Sequence, residues 1–183
     1  MALTYSTMLP LGTKLPQFKL INTVNDELFE SDHLFSKKGK LIMFICNHCP
    51  FVIHNHQQIC DISDQYSNDI DIVAISSNDV ESYPEDSPEN MKILANKLNW
   101  NFPYLYDESQ EIARTFDAQC TPEFYLFDEV DKLVYRGRID DSSPSNSKPS
   151  TGKDLRLAID SLLANKDIFE QQHPSMGCNI KWK

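Results

Sequence analysis

Short apolar runs of strand length alternate along the chain with segments of helical period. Phe18 to Ile21 predicts a first short strand. Leu41 to Ile45 is continuously apolar without Gly or Pro, as expected of a strand covered on both faces. Val52, His56, Ile59, Ile62 and Tyr66 then fall on one stripe, which predicts a helix from Val52 to Tyr66. Ile70 to Ile75 reads as the next strand. Ser87-Pro88-Glu89 opens a helix with an N-cap hydroxyl, a proline whose missing N–H costs nothing, and a first-turn acid. Met91, Leu94, Ala95 and Leu98 form its inner face. Pro103 to Tyr106 predicts a strand, and Ile112, Ala113 and Phe116 a short helix. Glu123 to Phe127 and Leu133 to Tyr135 predict a hairpin. After a Ser/Pro/Asn loop from Ser142 to Ser150, Thr151 to Asp154 resembles a capping box before a last helix carrying Leu155, Ile159, Leu162 and Leu163. The order β, β, α, β, α, β, α, β, β, α predicts an α/β fold with a partly parallel sheet. The expected division is one domain over residues 1–164 and a tail over 165–183. The tail has no periodicity, but Ile180 and Trp182 suggest that it docks.

Composition narrows the function. The 183 residues suit one domain, and 40% hydrophobic residues suffice for a sizeable core. Seventeen basic against 27 acidic residues give a net charge of -10, which disfavours nucleic acid and anionic lipid as partners. No apolar run approaches a membrane span, and the N-terminal stretch lacks the pattern of a signal peptide. Five cysteines are an odd number and too sparse for a disulfide-stapled secreted domain, so a cytoplasmic location is expected.

The chemistry concentrates in Cys46-Asn47-His48-Cys49-Pro50, where a buried strand hands over to a helix. Two thiols at this spacing lie within bonding reach, and a helix N-terminus favours the thiolate that attacks disulfides. His48, when protonated, would stabilise that thiolate further. Half of a zinc site is the competing reading, but no second CxxC follows at zinc-ribbon spacing. Pro50 adds a constraint. Were Cys46 the N-cap, Pro50 would be the first residue required to donate an intrahelical N–H, which it lacks. The helix is therefore expected to start at Asn47 or later, which moves the anion site towards Cys49 and leaves the choice of nucleophile open.

At this junction the sequence resembles the thioredoxin-fold redoxins of the alkyl hydroperoxide reductase/thiol-specific antioxidant branch, and within it a peroxiredoxin-like group. Pro16-Gln17-Phe18-Lys19-Leu20 resembles the redoxin opening P-x-F-x-L. Gly39-Lys40, the apolar strand after it and Cys46 resemble the approach to the redoxin active site. Phe44 to Val52, Asn78 to Asn90 and Gly177 to Lys183 resemble the narrower group. The resemblance implies a thioredoxin-like fold with a central mixed sheet flanked by helices. It also implies that Thr121-Pro122 is a cis-proline turn, leaving the backbone of Thr121 open for strand-like pairing with a partner. Relative to peroxiredoxins, Cys49-Pro50 fits the end of P-x-x-x-T-x-x-C-P, while Cys46 stands for the Thr and Ile42 for the first Pro. No arginine near Pro122 obviously fills the peroxiredoxin activating role. Relative to thioredoxins, Lys40 stands where a buried acid lies six residues before the first cysteine.

The expected activity is thiol–disulfide exchange through Cys46 and Cys49, with His48, Thr121 and Pro122 completing the site. No cofactor or metal is expected, and the partner is a thiol or disulfide protein, with a thioredoxin- or glutathione-type electron donor possible. Two alternatives stay open. One is a thiol peroxidase in which Cys49 is oxidised to a sulfenic acid and Cys46, Cys120 or Cys178 condenses with it. The other is a copper-binding chaperone using Cys46, Cys49 and a histidine, for which His54 and His56 are candidates. Cys120 and Cys178 are thus possible resolving cysteines, against the plainer readings of a buried hydrophobe and an idle thiol. Cys60 is expected to pack in the core. Arg136, Arg138, Asp140 and Asp141 read as a solvated face.

Overall fold

A computed structural model describes residues 3–34 and 37–183. Its main sheet has seven strands in the order β3-β2-β6-β5-β4-β8-β9. These are β2 (Lys19–Asn22), β3 (Glu27–Glu30), β4 (Gly39–Phe44), β5 (Ile70–Ser76), β6 (Tyr104–Tyr106), β8 (Glu123–Asp128) and β9 (Leu133–Gly137). The pairings β4–β5 and β5–β6 are parallel and the rest antiparallel, so the sheet is mixed. A second sheet has the order β1-β10-β7, formed by β1 (Leu3–Tyr5), β10 (Met176–Asn179) and β7 (Cys120–Thr121). The helices are α1 (Pro50–Tyr66), α2 (Pro88–Lys97), α3 (Glu111–Thr115) and α4 (Lys153–Leu163).

β4 shows why the fold holds. Its side chains alternate between two cores. Leu41 and Met43 join Val52, Ile59, Ile62, Leu155 and Ile159 beneath α1 and α4. Ile42 and Phe44 join Val73, Ile75, Phe116 and Tyr125 on the face covered by α3. A strand apolar at every position is what two covered faces require. Cys46, Cys49 and Cys178 belong to the first core, so these thiols are embedded in packed apolar structure.

The expected elements are present, with Ser87 capping α2 by accepting from the Asn90 N–H. Four strands went unpredicted. β1, β3 and the two-residue β7 are too short for a period to register, and β10 contains Gly177, Asn179 and a cysteine rather than an alternating apolar pattern. Residues 165–183 are therefore not structureless throughout. The expected capping box is also corrected. The N-cap of α4 is Gly152 in the left-handed region at φ +66, without a side-chain cap. The N–H groups of Thr151 and Gly152 go instead to the Asp140 carboxylate at 2.6 and 2.7 Å.

Asp140 is thus buried and structural, which corrects the reading of residues 136–141 as a solvated face. Arg138 pairs with Asp154 at 2.7 Å, and Arg136 holds Gln172 of the tail through its N–H and guanidinium at 3.0 and 2.7 Å. Lys40 is also buried. Its ammonium meets Asp131 at 2.6 Å and the carbonyl of Glu129 at 3.2 Å, so it closes the β8–β9 hairpin. Replacing Asp140 by Ala is expected to lower stability by about 1–3 kcal/mol, because two N–H groups at the start of α4 lose their acceptor. Urea unfolding of the variant beside the wild type measures this directly.

Candidate functional site

Pro50 occupies the first position of α1 and Cys49 is the N-cap, in an extended conformation at φ -69 and ψ 121. The Cys49 carbonyl accepts the N–H groups of Val52 and Ile53, both at 3.0 Å. Residues 46–49 thus form a turn between β4 and α1, and only the second cysteine sits on the helix terminus.

The turn is held by a residue that sequence reasoning passed over. Asp86 is fully buried. Its Oδ1 accepts the N–H groups of Asn47 and His48 at 2.8 and 3.2 Å, and its Oδ2 lies 2.7 Å from His48 Nδ1 and accepts from Asn78 Nδ2 at 2.7 Å. The His48 ring also stacks on Tyr83, with centroids 5.5 Å apart. His48 therefore hydrogen-bonds a carboxylate, while its ring stays within 4.8 Å of the Cys46 sulfur. Asp86 lies in the acidic, proline-bearing stretch before Ser87, where an acid passes for surface; only its partners across the fold distinguish it.

Thr121 faces both thiols. Its hydroxyl is 3.3 Å from Cys46 Sγ, and its carbonyl accepts from the Cys49 thiol at 3.1 Å. The Thr121–Pro122 bond is cis. Cys178 from β10 reaches the same place, its thiol hydrogen-bonded with that of Cys49. Hydrogen bonds from Cys178 and Cys46, with help from Thr121 and the Val52 N–H, hold the Cys49 thiol far below the usual cysteine range despite burial. Cys46 moves the other way: its bond to Cys49, its burial and the Asp86 charge all raise it. Cys178 is raised by the same bond to Cys49 and by burial. Cys120 is buried on β7, raised chiefly by burial, and its sulfur lies 3.8 Å from buried Glu123. Cys60, on α1 and partly buried against the first core, has its sulfur 3.7 Å from the Leu98 carbonyl. All five cysteines carry thiols.

The histidines considered for copper do not converge on the dithiol. His54 Nε2 contacts Ser142 Oγ at 3.0 Å, and His56 packs edge-on against Trp100. Among the described residues, Cys46, His48 and Asp86 bring potential ligand atoms within 4.8 Å of one another. The four contacts already made by Asp86 account for that cluster as an anchor of the turn. Beside Pro122 a cavity of about 190 Å³ is lined by Phe51, Arg138, Asp140 and Met176 among others. No described helix is long and apolar enough to cross a membrane.

A mixed sheet flanked by helices, with a CxxC between β4 and α1 and a cis-proline facing it, defines a thioredoxin-like redox protein. The redoxin family profile matches residues 10–155, and the chain belongs to the redoxin family. It is similar in structure to an uncharacterised conserved protein from Geobacillus kaustophilus, at 49% identity and a TM-score of 0.98, covering 100% of this chain and 97% of that one. A hypothetical protein from Sinorhizobium meliloti is 39% identical with a TM-score of 0.96, covering 98% of each chain. A secreted Mycobacterium tuberculosis disulfide oxidoreductase homologous to E. coli DsbE shares the fold at 15% identity and a TM-score of 0.60, covering 81% of this chain and 96% of that one. No curated protein matches the sequence.

The two thiols of the turn should titrate far apart. Ultraviolet thiolate absorbance is expected to show one thiolate already present in mildly acidic buffer, lost in Cys49→Ser, with Cys46 ionising only above the ordinary cysteine range. Asp86→Asn removes a negative charge that disfavours the Cys46 thiolate, so the Cys46 step should move to lower pH.

Proposed function

We propose that this redoxin is a thiol–disulfide oxidoreductase in which Cys49 supplies the attacking thiolate and Cys46 resolves. The observation that carries this reading is the place of Cys49 at the N-cap of α1, with the thiols of Cys46 and Cys178 beside its own. The Cys49 thiolate attacks a partner disulfide, and one partner sulfur leaves as a thiolate. Cys46 then gives up its proton and attacks Cys49 in the mixed disulfide. The Cys46–Cys49 bond forms and the second partner sulfur departs, so the partner gains two electrons and the protein loses two. His48 acts on the turn through Asp86, as a positioning residue. The partner class is a thiol or disulfide protein, with recharging by a thioredoxin- or glutathione-type donor. The sparse, odd set of cysteines suits a reducing compartment such as the cytoplasm.

A second reading rests on the same thiolate. A low-lying Cys49 followed by Pro50 would also suit a peroxide-reducing cysteine, with its sulfenic acid condensing onto a neighbouring thiol. Arg138 lines the cavity beside Pro122 but is committed to Asp154, which favours disulfide exchange.

Insulin reduction coupled to dithiothreitol tests the proposal. The wild type should catalyse it, Cys49→Ser should lose at least about 100-fold, and Cys46→Ser should stall without full turnover. Full turnover by Cys46→Ser, or peroxide consumption that needs Cys49 and survives Cys46→Ser, would replace disulfide exchange with the peroxidase reading.

A further inference from the structure

The strand edge that a partner would use is occupied by the chain itself. β10 runs antiparallel to β7, with Cys178 opposite Thr121 and Asn179 opposite Cys120, and the Ile180 N–H reaches the Gln119 carbonyl at 3.0 Å. The approach at Gly177 is closer than any side chain permits: a Cβ there would stand 2.0 Å from the Thr121 carbonyl oxygen and 2.7 Å from its carbon. Beyond β10 the chain is pinned on both sides. The Lys181 carbonyl accepts from the Asp79 N–H and from Gln110 Nε2, each at 2.8 Å, and the Arg114 guanidinium lies 4.4 Å over the Trp182 ring. Cys49 and Cys178 are both buried beneath this arrangement. An extended segment paired with Thr121, with a cysteine in register and its thiol hydrogen-bonded with that of Cys49, is the arrangement a disulfide-bearing partner strand would adopt.

We propose that β10 is a tethered substrate strand and that Cys178 is a second internal exchange partner of Cys49, so that oxidation of the centre yields a Cys49–Cys178 disulfide in competition with Cys46–Cys49. This rests on the disulfide exchange proposed above and names where its oxidising equivalents go. Starting from the Cys46–Cys49 bond made at the expense of a partner disulfide, the Cys178 thiolate attacks Cys49 Sγ. The Cys49–Cys178 bond forms, the Cys46–Cys49 bond breaks, and Cys46 leaves as a thiolate that takes up the proton Cys178 released. No net oxidation occurs. A mixed disulfide on Cys49 is resolved by Cys178 in the same way, with the partner sulfur leaving as a thiolate. The strand register gives Cys178 a high effective concentration at Cys49. The resulting bond staples β10 over the Thr121 edge and leaves Cys46 as the unpaired thiol of the turn.

The test is oxidation with oxidised glutathione, alkylation of remaining thiols and mass mapping of every linkage. The wild type should give both disulfides. Cys46→Ser should convert to Cys49–Cys178, and the Cys46→Ser/Cys178→Ser protein should stop at a Cys49–glutathione adduct. A Cys46→Ser protein that accumulates the Cys49–glutathione adduct while Cys178 is alkylated would overturn the proposal. Gly177→Ala pushes β10 off Thr121; with cooperative thermal unfolding retained, it should cut the Cys49–Cys178 yield about fivefold or more while Cys46–Cys49 still forms. An unchanged yield would overturn the role of the strand. Failure of the underlying exchange reading looks different: neither adduct nor disulfide forms on Cys49 in any of these proteins.

Discussion

The site depends on one missing proton. Pro50 has no N–H, so no helix that includes it beyond the first turn can satisfy the carbonyl four residues back. The first turn of α1 is where that absence costs nothing, and Cys49 consequently becomes the N-cap. The first-turn N–H groups then serve the second cysteine of the pair, with the Val52 N–H among the groups lowering its thiol. Cys46 stays in the turn, pushed the other way by its bond to Cys49, by burial and by Asp86. Under the proposed exchange, members pulled in opposite directions give attack to Cys49 and resolution to Cys46.

Asp86 shows how the turn can be ordered without a helix. The five residues between β4 and α1 carry backbone N–H groups that need acceptors. One fully buried carboxylate takes two of them, and its other oxygen engages His48 and Asn78. Its charge lies close enough to Cys46 to disfavour a second thiolate there. The anchoring of the turn and the separation of the two thiols are therefore effects of one residue.

What the sequence made legible divides along physical lines. Elements with a long period or an unbroken apolar run, such as β4, β5, α1 and the Ser87-capped α2, announce themselves because burial of one or both faces dictates residue type. The dithiol and the consequence of Pro50 were legible because their geometry is local. Asp86, Asp140 and Lys40 were not, because a charged side chain reads as solvated unless its distant partners are known, and those partners lie on other elements. β10 escaped for a related reason. Gly177 is fixed by the Thr121 carbonyl across the sheet and not by any pattern along its own strand.

That tail also changes what the cysteine spacing implies. The expectation of an open Thr121 backbone treats the site as a half-built sheet awaiting a partner, whereas β10 already completes it. Cys49 consequently combines an activated sulfur with no exposed surface. Under the proposed exchange the Cys49 sulfur must be uncovered before it meets a partner, and β10 is a strand that lies over it. The hydrogen bonds at Gln119, Asp79 and Gln110 and the ring contact at Trp182 set the resistance to displacement of β10. A partner segment that pairs with Thr121 recovers part of what β10 gives up, while a partner without one must open the site unaided. Under the proposed exchange, the C-terminal strand therefore weighs partners by their capacity to form a strand as well as by their disulfide.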